Sequence, residues 1–128
     1  MKSKSYAAKV RKLAHEFTDY RADAYYFIAD SVSHTVEQAK QGGGGTRHIS
    51  GEELLDGFRQ LALQRFGALA LDVLADWGVH RSEDVGVLVF RMVEHGLLGA
   101  TPDDRLEDFA DGFDFRTAFL GPFEVDQN

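Results

Sequence analysis

The stretch LALDVLADWGVHRSEDVGVLVFRMVEHGLL, residues 69–98, decides the fold class. Ala70, Val73, Leu74 and Trp77 recur at helical spacing and stop at Gly78, a residue that readily ends a helix. Ser82 then opens a second run, with Glu83 and Asp84 in the first turn, where acids suit the positive end of the helix dipole. Val85, Leu88, Val89, Met92 and Val93 give that run its apolar stripe, and Gly96 closes it. A helix ending LADWG, the short joint Val79-His80-Arg81-Ser82-Glu83-Asp84 and the helix after it come close to helix-turn-helix spacing. The ending Val93-Glu94-His95-Gly96-Leu97-Leu98 looks like the exit from a winged-helix recognition helix.

Upstream, Ser50-Gly51-Glu52-Glu53 reads as a capping box, in which the serine hydroxyl and the glutamate carboxylate satisfy each other's backbone N–H groups. Leu54, Leu55, Phe58, Leu61, Ala62 and Phe66 follow at helical spacing, with Gly67 as the stop. Tyr6, Val10, Leu13 and Phe17 predict a short helix over 5–17. A longer one, capped by Thr18 or Asp19, carries Tyr20, Ala24, Phe27, Ser31 and Thr35 and ends at Gly42–Gly45. After Thr101-Pro102-Asp103-Asp104, which has turn chemistry, Leu106–Phe109 either pairs with Leu97-Leu98 as a small hairpin, the wing, or begins a helix. Asp114 caps a last turn bearing Phe115 and Phe119.

The expected architecture is one mainly α domain over 1–128. It comprises N-terminal helices (1–41), a Gly-rich linker (42–46), a three-helix unit (47–100) with a helix-turn-helix-like, winged-helix-like centre, and an acidic, Phe-rich C-terminal segment (101–128), irregular or a β-hairpin. A chain of 128 residues buries roughly two-thirds of its unfolded surface and needs no covalent staples.

Charge and cysteine content exclude several functions. With no cysteine there is no disulfide, thiol nucleophile, thiolate zinc site or iron–sulfur cluster. No apolar run is long enough for a signal h-region or a bilayer span, so the expectation is a cytoplasmic protein with no membrane partner. The net charge is -7, but it is uneven. Residues 1–15 hold Lys2, Lys4, Lys9, Arg11 and Lys12 and no acid, whereas 101–128 hold two bases and eight acids. An acidic body repels phosphate, so nucleic acid is disfavoured except through the N-terminal arm. The recognition-helix candidate presents Glu83, Asp84 and Glu94 beside a lone Arg91, the wrong chemistry for base edges.

No motif assigns a reaction. The Gly42–Gly45 run follows a helix, lacks a following Gly-Lys-Ser/Thr, and fits a linker better than a phosphate cradle. A calcium loop with Gly112 at its sixth position places Phe109 third and Ala118 twelfth, where oxygen ligands are required. His15, His34, His48, His80 and His95 form no His-x-x-x-His pair. No metal and no cofactor is expected. Arg47 and His48, ahead of Ser50 and beside Glu52, are the candidate polar binding site, or an acid–base dyad if the chain is an enzyme. Phe109 and Phe113, with Phe115 and Phe119, are the candidate docking surface for a protein partner.

The blocks Arg47–Gly57, Ala62–Gly67, Trp77-Gly78-Val79, Glu83-Asp84-Val85-Gly86, Val89-Phe90, Val93–Leu98 and Asp108-Phe109 to Phe119 together resemble an uncharacterised bacterial family found mainly in Verrucomicrobia and Planctomycetes. The resemblance covers Tyr20 to Phe123, with Gly42–Gly45 as a departure from the short linker of the family. That family has no assigned activity, so the resemblance implies neither ligand nor catalytic residue. The leading expectation is a small protein–protein interaction or adaptor module of unidentified partner. The alternative is a winged-helix-like, nucleic-acid-associated regulator using the basic N-terminal arm.

Overall fold

The computed structural model describes residues 5–44, 49–99, 106–110 and 112–124. The chain is mainly helical, and no strand occurs among the described residues. In order, the α-helices are α1 (Tyr6–Glu16), α2 (Ala22–Ala39), α3 (Gly51–Phe66), α4 (Ala70–Asp76), α5 (Ser82–Glu94) and α6 (Phe115–Leu120).

Local chemistry sets most of these ends. The Ser5 hydroxyl accepts from Ala8 N–H and caps α1. Ser50 and Glu53 form the expected capping box, Glu53 N–H donating to Ser50 Oγ at 3.0 Å and Ser50 N–H to Glu53 Oε1 at 2.9 Å. Asp84 accepts from the N–H groups of His80 and Arg81 ahead of α5. Asp114 accepts from both the N–H and the hydroxyl of Thr117, and these donors hold its carboxyl below the usual carboxylate range. α4 ends on Gly78 at φ +94°, with Val79 N–H returning to Leu74 O at 2.8 Å. α2 ends at Ala39, ahead of the glycines, and passes into a wider turn over Lys40–Gly44 that takes in Gly42–Gly44; Gly45 lies outside the described residues.

The start of α2 differs from the sequence expectation. It begins at Ala22, and neither Thr18 nor Asp19 caps it. Asp19 is engaged instead by Arg91 of α5, whose guanidinium donates to Asp19 Oδ1 at 3.0 Å and to Tyr25 Oη at 3.0 Å. The same guanidinium lies 4.1 Å from the Phe17 ring centroid. Nearby, Tyr20 donates its hydroxyl to Asp84 and Arg21 N–H donates to Trp77 O. The α1–α2 joint is thereby laid directly on the α4–α5 joint.

α5 is the central helix, packed against α2, α3 and the 3₁₀ turn Leu106–Phe109. Along its whole length only Glu94 is exposed. This alters the helix-turn-helix expectation: α4 and α5 follow one another across a short joint, but α5 keeps no open face for a DNA groove. The hairpin is also replaced. Leu106–Phe109 form a 3₁₀ turn, and the connection over 100–105 lies outside the described residues.

α2 and α3 share the most extensive helix–helix contact, and within it Gly57 faces Thr35 closely. Thr35 is buried, with its hydroxyl donated to Ser31 O at 2.8 Å. A Cβ on Gly57 would overlap that hydroxyl. Gly57→Ala is expected to cost about 2–3 kcal/mol, the upper part of the range of about 1–3 kcal/mol usual for overpacking. Adding Thr35→Ala should recover most of the loss, since the two sites touch. A double-mutant cycle in urea checks this, and additive losses would show that the helices do not meet there.

Candidate functional site: an acidic cleft beside the start of α3

The C-terminal segment is seated by small residues. The Phe109 side chain is fully buried between Gly51 and Gly86. A Cβ on Gly86 would lie 2.9 Å from Phe109 Cβ, and one on Gly51 would lie 3.2 Å from the ring. Gly112 N–H donates to the buried Ser82 Oγ at 3.0 Å, and a Cβ at Gly112 would meet Leu55 at 2.5 Å. The chain then turns into α6, whose Phe115 and Phe119 rings pack on Phe58 with centroids 6.2 and 6.4 Å away.

This docking leaves a cleft of about 260 Å³ between the first turns of α3 and the segment ahead of α6. Glu52, Asp56 and Asp108 supply carboxylates to it, and Leu55, Gly112 and Phe113 complete the lining. Glu52 and Asp56 are i and i+4 on α3, so one helix face presents both. Asp56 is partly compensated within the chain: Oδ1 accepts from Arg59 at 2.9 Å and Oδ2 from Gln60 at 2.7 Å. Among the described residues no group of three or more His, Cys, Asp or Glu is arranged to hold a metal ion. An anionic cleft with an aromatic wall is suited to an ammonium or guanidinium group on an apolar stem.

No family model, curated protein or solved structure matches this chain. The family resemblance gains no support from these comparisons, and the geometry alone carries the functional reading.

The structure separates the sequence candidates into three groups. Glu52 and Phe113 line the acidic cleft together. Phe109 stands behind it as a core residue at 0% exposure, and Phe115 and Phe119 are equally interior at 4% and 0%. The expected Phe-rich docking surface is therefore largely turned inward, with Phe113 half-buried and Phe123 exposed at 47%. Arg47 and His48 lie outside the described residues. Sequence reading missed Asp56 and Asp108. The i, i+4 relation of Glu52 to Asp56 was available as a signal, whereas the approach of Asp108 depends on where Phe109 docks.

Among the described residues no helix is long and apolar enough to cross a membrane.

Proposed function

We propose that the protein is a small interaction or adaptor module, and that the acidic cleft receives a Lys- or Arg-bearing segment of a protein partner. One observation carries this reading: Glu52, Asp56 and Asp108 converge on a cleft that also offers the apolar surfaces of Leu55 and Phe113. Carboxylates alone attract any cation weakly, while the aromatic wall rewards a cation carried on a hydrocarbon stem. One wall of the cleft is the capped first part of α3, so the positions of Glu52 and Asp56 are set before the partner arrives and less ordering entropy is lost on binding.

The test is a tagged pull-down from bacterial lysate, with and without nuclease, using the parent chain and the Glu52→Lys and Asp56→Lys variants. A stoichiometric partner should survive nuclease, and either charge reversal should weaken its binding about tenfold or more. Retention that is indifferent to both reversals would overturn the reading.

The second reading, a nucleic-acid-associated regulator of winged-helix type, is favoured by one observation. Arg11 and Lys12 on α1 are exposed, and no acid precedes Glu16 in the chain. It predicts salt-dependent binding that Lys9, Arg11 and Lys12 substitution abolishes. The burial of α5 removes the groove-reading helix that such a protein uses, so this reading ranks second.

A further inference from the structure

A separate concave site lies between α1 and the end of α5. Its cleft measures about 170 Å³ and is lined by Lys9, Lys12, Leu13 and His95. Lys9 and Lys12 are one turn apart on the same side of α1, and neither makes an ion pair with a described residue. Val10 and Leu13 bury the inner face of α1, which fixes the direction in which both lysines leave the helix. The geometry points to a site for a small phosphate monoester, independent of the acidic cleft.

Two objections from electrostatics are answered by contacts already in place. The C-terminal end of a helix repels anions through its unpaired carbonyls. At the end of α5 three of those carbonyls are taken: Arg91 O accepts from His95 N–H, Met92 O from Leu97 N–H and Val93 O from Gly96 N–H, all within 3.1 Å. Asp19, the acid at the following joint, is held by Arg91. Glu16 and Glu94 are exposed neighbours in the chain but do not line the cleft. Lys9, Lys12 and the His95 ring then provide N–H donors for phosphate oxygens, and Leu13 offers an apolar wall to the organic part of the ester. The Phe17 ring, 6.3 Å from that of His95, extends the apolar side. A short cleft with two lysines on one turn suits a compact dianion better than an extended phosphodiester strand, which needs a groove along which to run.

The experiment is a titration of the ¹⁵N-labelled full chain with phenyl phosphate, at constant ionic strength, followed by amide shifts. Oligothymidylate serves as the phosphodiester probe in a parallel titration. Phenyl phosphate should give saturable shifts centred on Lys9, Lys12, Leu13 and His95. The Lys9→Gln/Lys12→Gln double variant should bind at least about tenfold more weakly, since each lost charge-assisted hydrogen bond is worth about that factor. Lys9→Arg/Lys12→Arg should retain binding, as should Arg11→Gln, which lies off the cleft. These substitutions leave Val10 and Leu13, the buried residues of α1, in place, so folded spectra are expected throughout. Non-saturating or scattered shifts, undiminished binding by the double Gln variant, or oligothymidylate binding without phenyl phosphate binding would each overturn the proposal.

Discussion

Gly78→Ala should cost about 4 kcal/mol, a large share of the 5–15 kcal/mol that holds a domain of this size together. The added methyl carbon would land on the carbonyl oxygen of Asp19, with Tyr20 Cδ1 at 3.3 Å closing the other side. The backbone at φ +94° also lies in the left-handed region, which alone costs a non-glycine residue about 1–2 kcal/mol. Relief requires the two joints to part. That would loosen the Arg21–Trp77 backbone hydrogen bond and the Arg91 contacts to Asp19 and Tyr25. Gly96→Ala is the matched control. Its φ of +75° carries similar strain, but nothing lies within 4 Å of the added Cβ. Urea denaturation should therefore show Gly96→Ala losing only the strain term. Equal losses for the two variants would mean that the joints are not in contact at Gly78.

Phe109→Ala should cost a similar amount, about 3–5 kcal/mol for emptying a fully buried phenylalanine site. The site is walled by Gly51, Gly86 and the Phe90 ring, whose centroid is 6.1 Å away. Glycine walls have no side chains that could swing in to fill the void, which places the loss toward the upper end. A second effect follows from position. Phe109 anchors the turn that carries Asp108, so its removal should also abolish binding at the acidic cleft, in a variant whose remaining helices still fold. Phe123→Ala, at a half-exposed ring, should stay within about 0.5 kcal/mol and leave binding intact. Comparable effects from both phenylalanines would remove the distinction between an anchor and a surface ring.

What could be read from the sequence was whatever a few neighbouring residues decide among themselves. Ser50 with Glu53, Asp114 ahead of Phe115, and the stops at Gly78 and Gly96 are contacts within one helical turn, and each is where the residue types require it. The start of α2 failed for the opposite reason: Asp19 is a good cap by type, but Arg91, 72 positions away, takes its carboxylate. The C-terminal phenylalanines were legible as packing residues and illegible in direction, because glycines far along the chain create the space that Phe109 fills. α5 did carry a usable signal. Val87 and Phe90 add apolar residues to the side opposite its main stripe, and a helix apolar on all sides is one to be buried. For the functional sites, one helix face gives Glu52 with Asp56 and another gives Lys9 with Lys12, while Asp108 and His95 join them only through tertiary packing.

α5 is fully exposed only at Glu94 and partly covered elsewhere, which leaves drift little room to act. Nearly every replacement within Ser82–Glu94 must be answered by a neighbour on α2, α3 or the Phe109 turn, so changes there will be accepted in compensating sets rather than singly. On α1 and α4 that obligation is confined to Val10, Leu13, Ala70 and Leu74. In a pool of random single variants under selection for a folded chain, diversity should collect on α1 and α4 and thin out along α5, so the most variable surfaces of the protein will be the ones where new binding chemistry can be tried at least risk to the fold.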